Sequence, residues 1–222
     1  MPEARAHTAD TVGAVGGTLI VVVGPSGAGK DTLIAFARER LAAHPSVHFV
    51  RRAITRAALP DAEDHDTLSE EAFDAAEASG AFAVTWRAHG LRYGVPVQVR
   101  GQLARGGVAV LNGSRLALPA IQRAFDNVLT VHVTCRPDVL AARLAARGRE
   151  TAQQQEQRLA RASAQAGRLE GAVEIDNSSD LAIAGETLVD LIRQLSDRGA
   201  DLAETLTDSI KDRRAELFRT RC

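Results

Sequence analysis

An unbroken apolar run, Thr18 to Val23 (TLIVVV), leads without a linker into GPSGAGK at residues 24–30, and this junction limits the fold more than any other stretch. A short continuous run of β-branched and aliphatic residues that ends at glycine suits a strand buried on both faces, not one with a solvated side. The loop carries Gly24, Gly29 and Lys30 at the spacing of G-x-x-x-x-G-K-[ST]. In that pattern backbone N–H groups cradle phosphates, the lysine reaches the terminal ones and a hydroxyl meets Mg²⁺. Leu33, Ile34, Ala37 and Leu41 then recur on one helical face to about His44-Pro45. A strand, a glycine loop and a helix in this order predict a nucleotide-phosphate site at a helix N-terminus. One letter departs from the pattern: Asp31 stands in the hydroxyl position, and the hydroxyl of Thr32 comes one residue late.

The remaining chain alternates in the same way. Val47 to Thr55 reads as a second strand, followed by the acidic loop LPDAEDHD. Ser69-Glu70-Glu71 is a helix start, with Ser69 as N-cap and acids in the first turn. AFAVTWRAHGLRYGV mixes turn and strand signals around the single Trp and the single Tyr of the chain. Gly107–Leu111 and Leu129–Thr134 are further buried strands, each followed by a helical stretch. Pro137 to about Gly167 is helical and rich in arginine (Arg143, Arg147, Arg149, Arg158, Arg161), and a helix from about Leu188 leads into the charged stretch DLAETLTDSIKDRRAELF. Such alternation predicts an α/β fold with a parallel sheet covered by helices on both faces.

At 222 residues the chain suits one such domain with a small lid, and a net charge of −1 gives no reason to expect a nucleic-acid partner. No apolar run approaches the roughly 18 residues of a membrane span. Cys135 and Cys222 form no close-spaced motif, and MPEARAHTADTVGAVGG lacks a basic end followed by an apolar stretch, so a reducing cytoplasm is the expected compartment. Residues 1–16 read as a tail, 17–195 as the domain and 196–222 as a helical extension. The oligomeric state stays open, homodimer included.

GPSGAGK, the ITR that follows, HGLRYG, RGRE…RLARA and a late Asp-Asn pair resemble the guanylate kinase family over about residues 18–195. The resemblance implies a P-loop NTPase with a small acceptor-binding region (about 50–100) and a helical lid (about 143–167). It places ATP on Gly24, Pro25, Ser26, Gly27, Ala28, Gly29, Lys30, Asp31 and Thr32, with Asn177 near the adenine. Arg56 would hold the acceptor phosphate and Tyr93 would line the acceptor region. Lys30 and the lid arginines Arg147, Arg149, Arg158 and Arg161 would carry the catalysis, and Mg²⁺ would accompany ATP.

The departures from that family narrow the acceptor. Leu59 stands where guanylate kinases have a second acceptor arginine, Val84 where a glutamate reads the guanine edge, and Val95 where a serine or threonine follows the Tyr-Gly pair. A base edge left unpaired in a buried site costs about 1–3 kcal/mol per group, so guanine would be poorly held. Positive charge is added instead, at Arg52, Arg92 and Arg115, and guanidinium forks suit phosphates. GPSGAGKD, RRAITR, W-x-A-H-G-x-x-YGV and V-L-N-G-S-R together resemble a narrower family, the ribose 1,5-bisphosphate phosphokinases of bacterial phosphonate breakdown. That resemblance implies a small sugar phosphate as acceptor, met by Arg52, Arg56, His89, Tyr93, Asn112, Ser114 and Arg115. A further departure concerns the metal: guanylate kinases have an aspartate at the strand end corresponding to Asn112, so the pair is exchanged here, with the acid in the loop at Asp31 and an amide at Asn112, and Asp31 is expected to supply the carboxylate for Mg²⁺. The alternatives are a guanylate or other nucleoside monophosphate kinase and a non-catalytic guanylate-kinase-like interaction module; the intact loop from Gly24 to Lys30 argues against the latter.

Overall fold

The computed structural model describes residues 16–56, 65–88, 90–146, 167 and 169–199. In chain order the elements are β1 (Thr18–Val23), α1 (Lys30–Arg40), β2 (Val47–Phe49), β3 (Arg52–Ile54), β4 (His65–Thr67), α2 (Glu70–Ala78) and β5 (Phe82–Ala88). Then come β6 (Leu91–Pro96), α3 (Gln98–Ala104), β7 (Val108–Asn112), α4 (Leu118–Ala124), β8 (Val128–Thr134), α5 (Pro137–Ala146) and β9 (Val173–Asp176). A last helix, α6, covers 181–199.

Five strands form a parallel sheet in the order β2-β7-β1-β8-β9. β1 is its centre, and Leu19 to Val23 are all 0% exposed. Ile20 and Val22 pack with Leu33, Ile34 and Ala37 of α1 and with Leu188, Val189 and Ile192 of α6. Leu19, Val21 and Val23 pack with Val99 and Leu103 of α3 and with Leu118 and Ile121 of α4. A strand covered on both faces has no polar side, which is why its sequence is continuous and not alternating. Each such side chain contributes about 1.5–3 kcal/mol of burial free energy.

A second sheet, in the order β4-β3-β6-β5, is inserted between β2 and α3. The predicted strand Val47–Thr55 is therefore corrected: it belongs to two sheets. Its first half pairs with β7 up to Val50, whose N–H donates to the Val110 carbonyl at 2.9 Å. Arg51 is exposed, and Arg52 to Ile54 pair with β4 and β6 instead. Two successive arginines cannot both point into a core covered on both faces, so the chain leaves the main sheet there. His65 and Asp66, expected in a loop, are in β4, and α6 begins before Leu188, at a turn where Asp180 Oδ1 accepts from the Ala182 N–H at 2.9 Å. The short strand β9 has no counterpart in the sequence reading. Ser69 does cap α2, accepting from the Ala72 N–H at 3.1 Å.

Candidate active site

The loop that follows β1 lies against the carboxyl ends of β8 and β9. Gly24 has φ +151°, and a Cβ there would stand 2.2 Å from the Val133 carbonyl oxygen. Gly29 has φ +91°, and its Cβ would stand 2.3 Å from Asn177 Nδ2. Only glycine fits at these two positions. Asn177 is 2% exposed and clamps the loop: Nδ2 donates to the Ala28 carbonyl at 2.8 Å, while its backbone N–H donates to Thr134 at 2.9 Å. Its Oδ1 is buried without a partner.

Helix α1 follows the N-cap Gly29 with no side-chain cap, so no capping side chain stands between its first-turn N–H groups and the loop. Lys30 Nζ lies over the same loop, donating to the carbonyls of Gly24 (2.9 Å) and Pro25 (3.1 Å). Uncapped amides, a positive helix end and a lysine form an anion cradle. Ser26 and Thr32 are exposed beside it. Asn112, last in β7, pairs with Val22 and donates through Nδ2 to Asp31 Oδ1 at 2.5 Å. The phosphate loop and the end of the neighbouring strand are thus tied through the two exchanged residues.

After β7, Ser114 Oγ accepts from the Ala117 N–H at 3.2 Å, which fixes the turn that carries Arg115. Arg115 Nη2 donates to the Gly167 carbonyl, and its Nε is buried without a partner. In the small sheet, Arg52 is 6% exposed with its guanidinium 5.3 Å from the Tyr93 ring centroid, and Tyr93 stacks on Trp86 at 5.3 Å and 5°. Val84 and Val95 are directly paired on β5 and β6, and Val95 is fully buried. Arg56 follows β3, half-buried, with its Nε also buried and unpartnered.

Arg92 requires a correction. Expected as added charge for the acceptor, it is 6% exposed and donates to Glu70 (3.3 Å), Asp74 and Glu77 (2.6 Å) of α2, above the Phe73 ring at 4.3 Å. The hydrogen bond it donates to Asp74 is the main reason its pKa lies above the usual arginine value. It fastens α2 to the sheet and has no charge to spare for a ligand. Arg51 pairs with Asp66 at 2.8 Å. Conversely, Arg143 was legible only as one of several helix arginines. Its Nη1 lies 3.6 Å from Cys135 Sγ and 3.8 Å from where a Gly29 Cβ would stand, so it reaches the phosphate loop. His89, Arg147, Arg149, Arg158 and Arg161 lie outside the described residues.

A parallel sheet with a phosphate cradle at the end of its central strand and an inserted sheet beside it defines a P-loop kinase of guanylate-kinase-like fold. The guanylate kinase of Anaplasma phagocytophilum superposes with a TM-score of 0.60 over 82% of this chain and 87% of its own, at 16% identity. Residues 20–163 match the family described as an AAA domain. The "Ribose 1,5-bisphosphate phosphokinase PhnN" of Agrobacterium fabrum is 46% identical over 79% of this chain and 96% of its own length. The protein of the same name from Thiobacillus denitrificans is 48% identical over 79% and 93%. The chain belongs to the ribose 1,5-bisphosphate phosphokinase family.

Proposed function

We propose that the protein transfers the terminal phosphoryl group of Mg·ATP to the 1-phosphate of ribose 1,5-bisphosphate, forming 5-phospho-α-D-ribose 1-diphosphate during phosphonate degradation in the cytoplasm. The observation that carries this reading is the Val84–Val95 pair: two apolar side chains packed on the core stand where the guanylate kinase pattern has the polar residues that read a base edge, while Arg52 stands against Tyr93, which stacks on Trp86. The identity to relatives of that name supports the same acceptor.

The nucleophile is a phosphate oxygen that is already anionic, so the reaction needs positioning and charge neutralisation more than a general base. Lys30 and the open amides of α1 hold the ATP phosphates, with Asn177 fixing the loop that presents them. Arg52, Arg56 and Arg115, with His89, Tyr93, Asn112 and Ser114, hold the acceptor. Arg147, Arg149, Arg158 and Arg161 neutralise the transferring group from a lid at about 143–167, and the insertion at about 50–100 is the acceptor region. The 196–222 extension is not assigned a step. Among the described residues no group of three or more His, Cys, Asp or Glu side chains forms a metal site by itself. Asp31, whose carboxylate stands in the first turn of α1, would hold Mg²⁺, and the ion would offset the repulsion between that carboxylate and the ATP phosphates.

The deciding experiment is ³¹P NMR of the purified protein with Mg·ATP and either ribose 1,5-bisphosphate or GMP. A new diphosphate on the sugar supports the assignment; GDP formation without it replaces the acceptor with a nucleotide.

A further inference from the structure

His132 lies on β8 beside Val23, the last residue before the phosphate loop, and beside Glu174 of β9. It is 1% exposed, and neither Nδ1 nor Nε2 has a hydrogen-bond partner among the described residues. A neutral imidazole has one N–H donor and one acceptor, and burying both unmet destabilises the fold where an apolar side chain would not. The strand itself has no need of polarity at that depth, since Val131 and Val133 on either side are fully buried valines. An unmet imidazole in a strand of valines is what a site kept for function at the expense of stability looks like.

The second unmet atom supplies the direction. Arg115 Nε is a buried N–H donor without an acceptor among the described residues, on the turn that follows β7. Burial first, then the charges of Arg115 and Lys30, lower the His132 pKa, with Glu174 opposing them. The ring is therefore held neutral near neutral pH, with one nitrogen able to accept, at the carboxyl end of the sheet where Val22 pairs with Asn112 and Val23 with His132, the end from which the loop of Lys30 and the turn of Arg115 continue.

We infer that His132 is a positioning residue for phosphoryl transfer: its unprotonated ring nitrogen accepts from Arg115 Nε, directly or through one water, in the substrate complex. The Nη groups of Arg115 are thereby aimed at the acceptor phosphate, Nη2 exchanging the Gly167 carbonyl that it meets in this structure for a phosphate oxygen. This rests on the reading of Arg115 as an acceptor ligand.

The test compares His132→Leu, His132→Gln and wild type, each with and without Arg115→Ala. His132→Leu is expected to melt at or above the wild-type temperature and to keep its KM for ATP, while kcat/KM for ribose 1,5-bisphosphate falls roughly tenfold. His132→Gln, whose amide oxygen still accepts, recovers most of that loss. In the Arg115→Ala background, His132→Leu produces no further loss, because the two residues act through one contact. Full acceptor kcat/KM in His132→Leu overturns the proposal, as does an equal loss with and without Arg115 or a melting temperature well below wild type. Should His132→Leu not fold, His132→Val, which repeats the neighbouring residues of the strand, carries the same comparison. If wild type does not consume ribose 1,5-bisphosphate, the functional reading fails separately. The His132 proposal is then decided by calorimetry of inorganic pyrophosphate binding to protein saturated with a non-hydrolysable ATP analogue. Affinity roughly tenfold weaker in His132→Leu supports it, and equal affinity overturns it.

Discussion

Asn112 Nδ2 donates to Asp31 Oδ1 across 2.5 Å, joining the end of β7 to the first turn of α1. In many P-loop enzymes a hydroxyl after the lysine shares Mg²⁺ with an aspartate at the end of another strand. Here acid and amide have changed places, and the amide orients the acid. Asp31→Asn is expected to lower activity at least about tenfold, about 1.4 kcal/mol, with a raised Mg²⁺ requirement and a nearly unchanged melting temperature. Asp31→Ser combined with Asn112→Asp restores the ordinary arrangement and should recover part of the loss. Full activity of Asp31→Asn at low Mg²⁺ would reduce Asp31 to a favourable helix-start residue, worth about 0.3–1 kcal/mol of stability.

The Val84–Val95 pair leads to a specificity prediction. Ribose 1,5-bisphosphate should exceed GMP in kcat/KM by a large margin, because two apolar side chains leave a guanine edge unmet. Steady-state kinetics with both acceptors decides it, and equal use of GMP contradicts the reading.

Arg52 and Arg56 are the arginines proposed to hold the acceptor. Arg52→Ala and Arg56→Ala should each raise the acceptor KM and cost about 1.5–3 kcal/mol in acceptor kcat/KM, the worth of a charge-assisted contact to phosphate. Nucleotide affinity, read by titration calorimetry, should stay nearly constant. An equal loss of ATP affinity would mean that the two halves of the site have been divided wrongly.

Arg92 should behave in the opposite way. Its guanidinium is held by Glu70, Asp74 and Glu77, so Arg92→Met leaves three carboxylates on α2 without their common cation. Thermal unfolding should shift down by several degrees, and the acceptor KM of the folded protein should move far less than in Arg52→Ala. A stable Arg92→Met protein that had lost only acceptor binding would return Arg92 to the substrate site.

The burial of Cys135 raises its thiol pKa above the usual value, more than Arg143 lowers it. Because the thiolate is the reactive form, labelling by iodoacetamide should be slow at neutral pH and accelerate only as the pH rises past that of an ordinary cysteine. Rapid labelling of Cys135 at pH 7, resolved from Cys222 by peptide mapping, would contradict the burial.

What the sequence determined by itself is the part of the molecule made of contiguous residues. TLIVVV, GPSGAGK and the Leu33–Leu41 face form β1, the loop and the start of α1 because burial on both faces, glycine backbone freedom and helical periodicity are all read within a few residues of each other. The Ser69 cap is equally local, since its acceptor and donor are three residues apart. The apolar residue types at Val84 and Val95 were equally legible, although their direct pairing required the hairpin to form.

The tertiary structure decided everything that depends on which distant segment a residue meets. The Val47–Thr55 run has the same local pattern whether it forms one strand or two, and only the competition between β7 and the β4–β6 side of the insertion splits it at Arg51. Arg52 and Arg92 are the same residue type within one region. One lies over the Tyr93 ring while the other is held by three carboxylates of a helix 15 to 22 residues earlier in the chain, a difference that composition cannot carry. His132 reads in sequence as one polar residue in a buried strand. Its unmet nitrogens, and the unmet Nε of Arg115, exist only once folding has removed water from both.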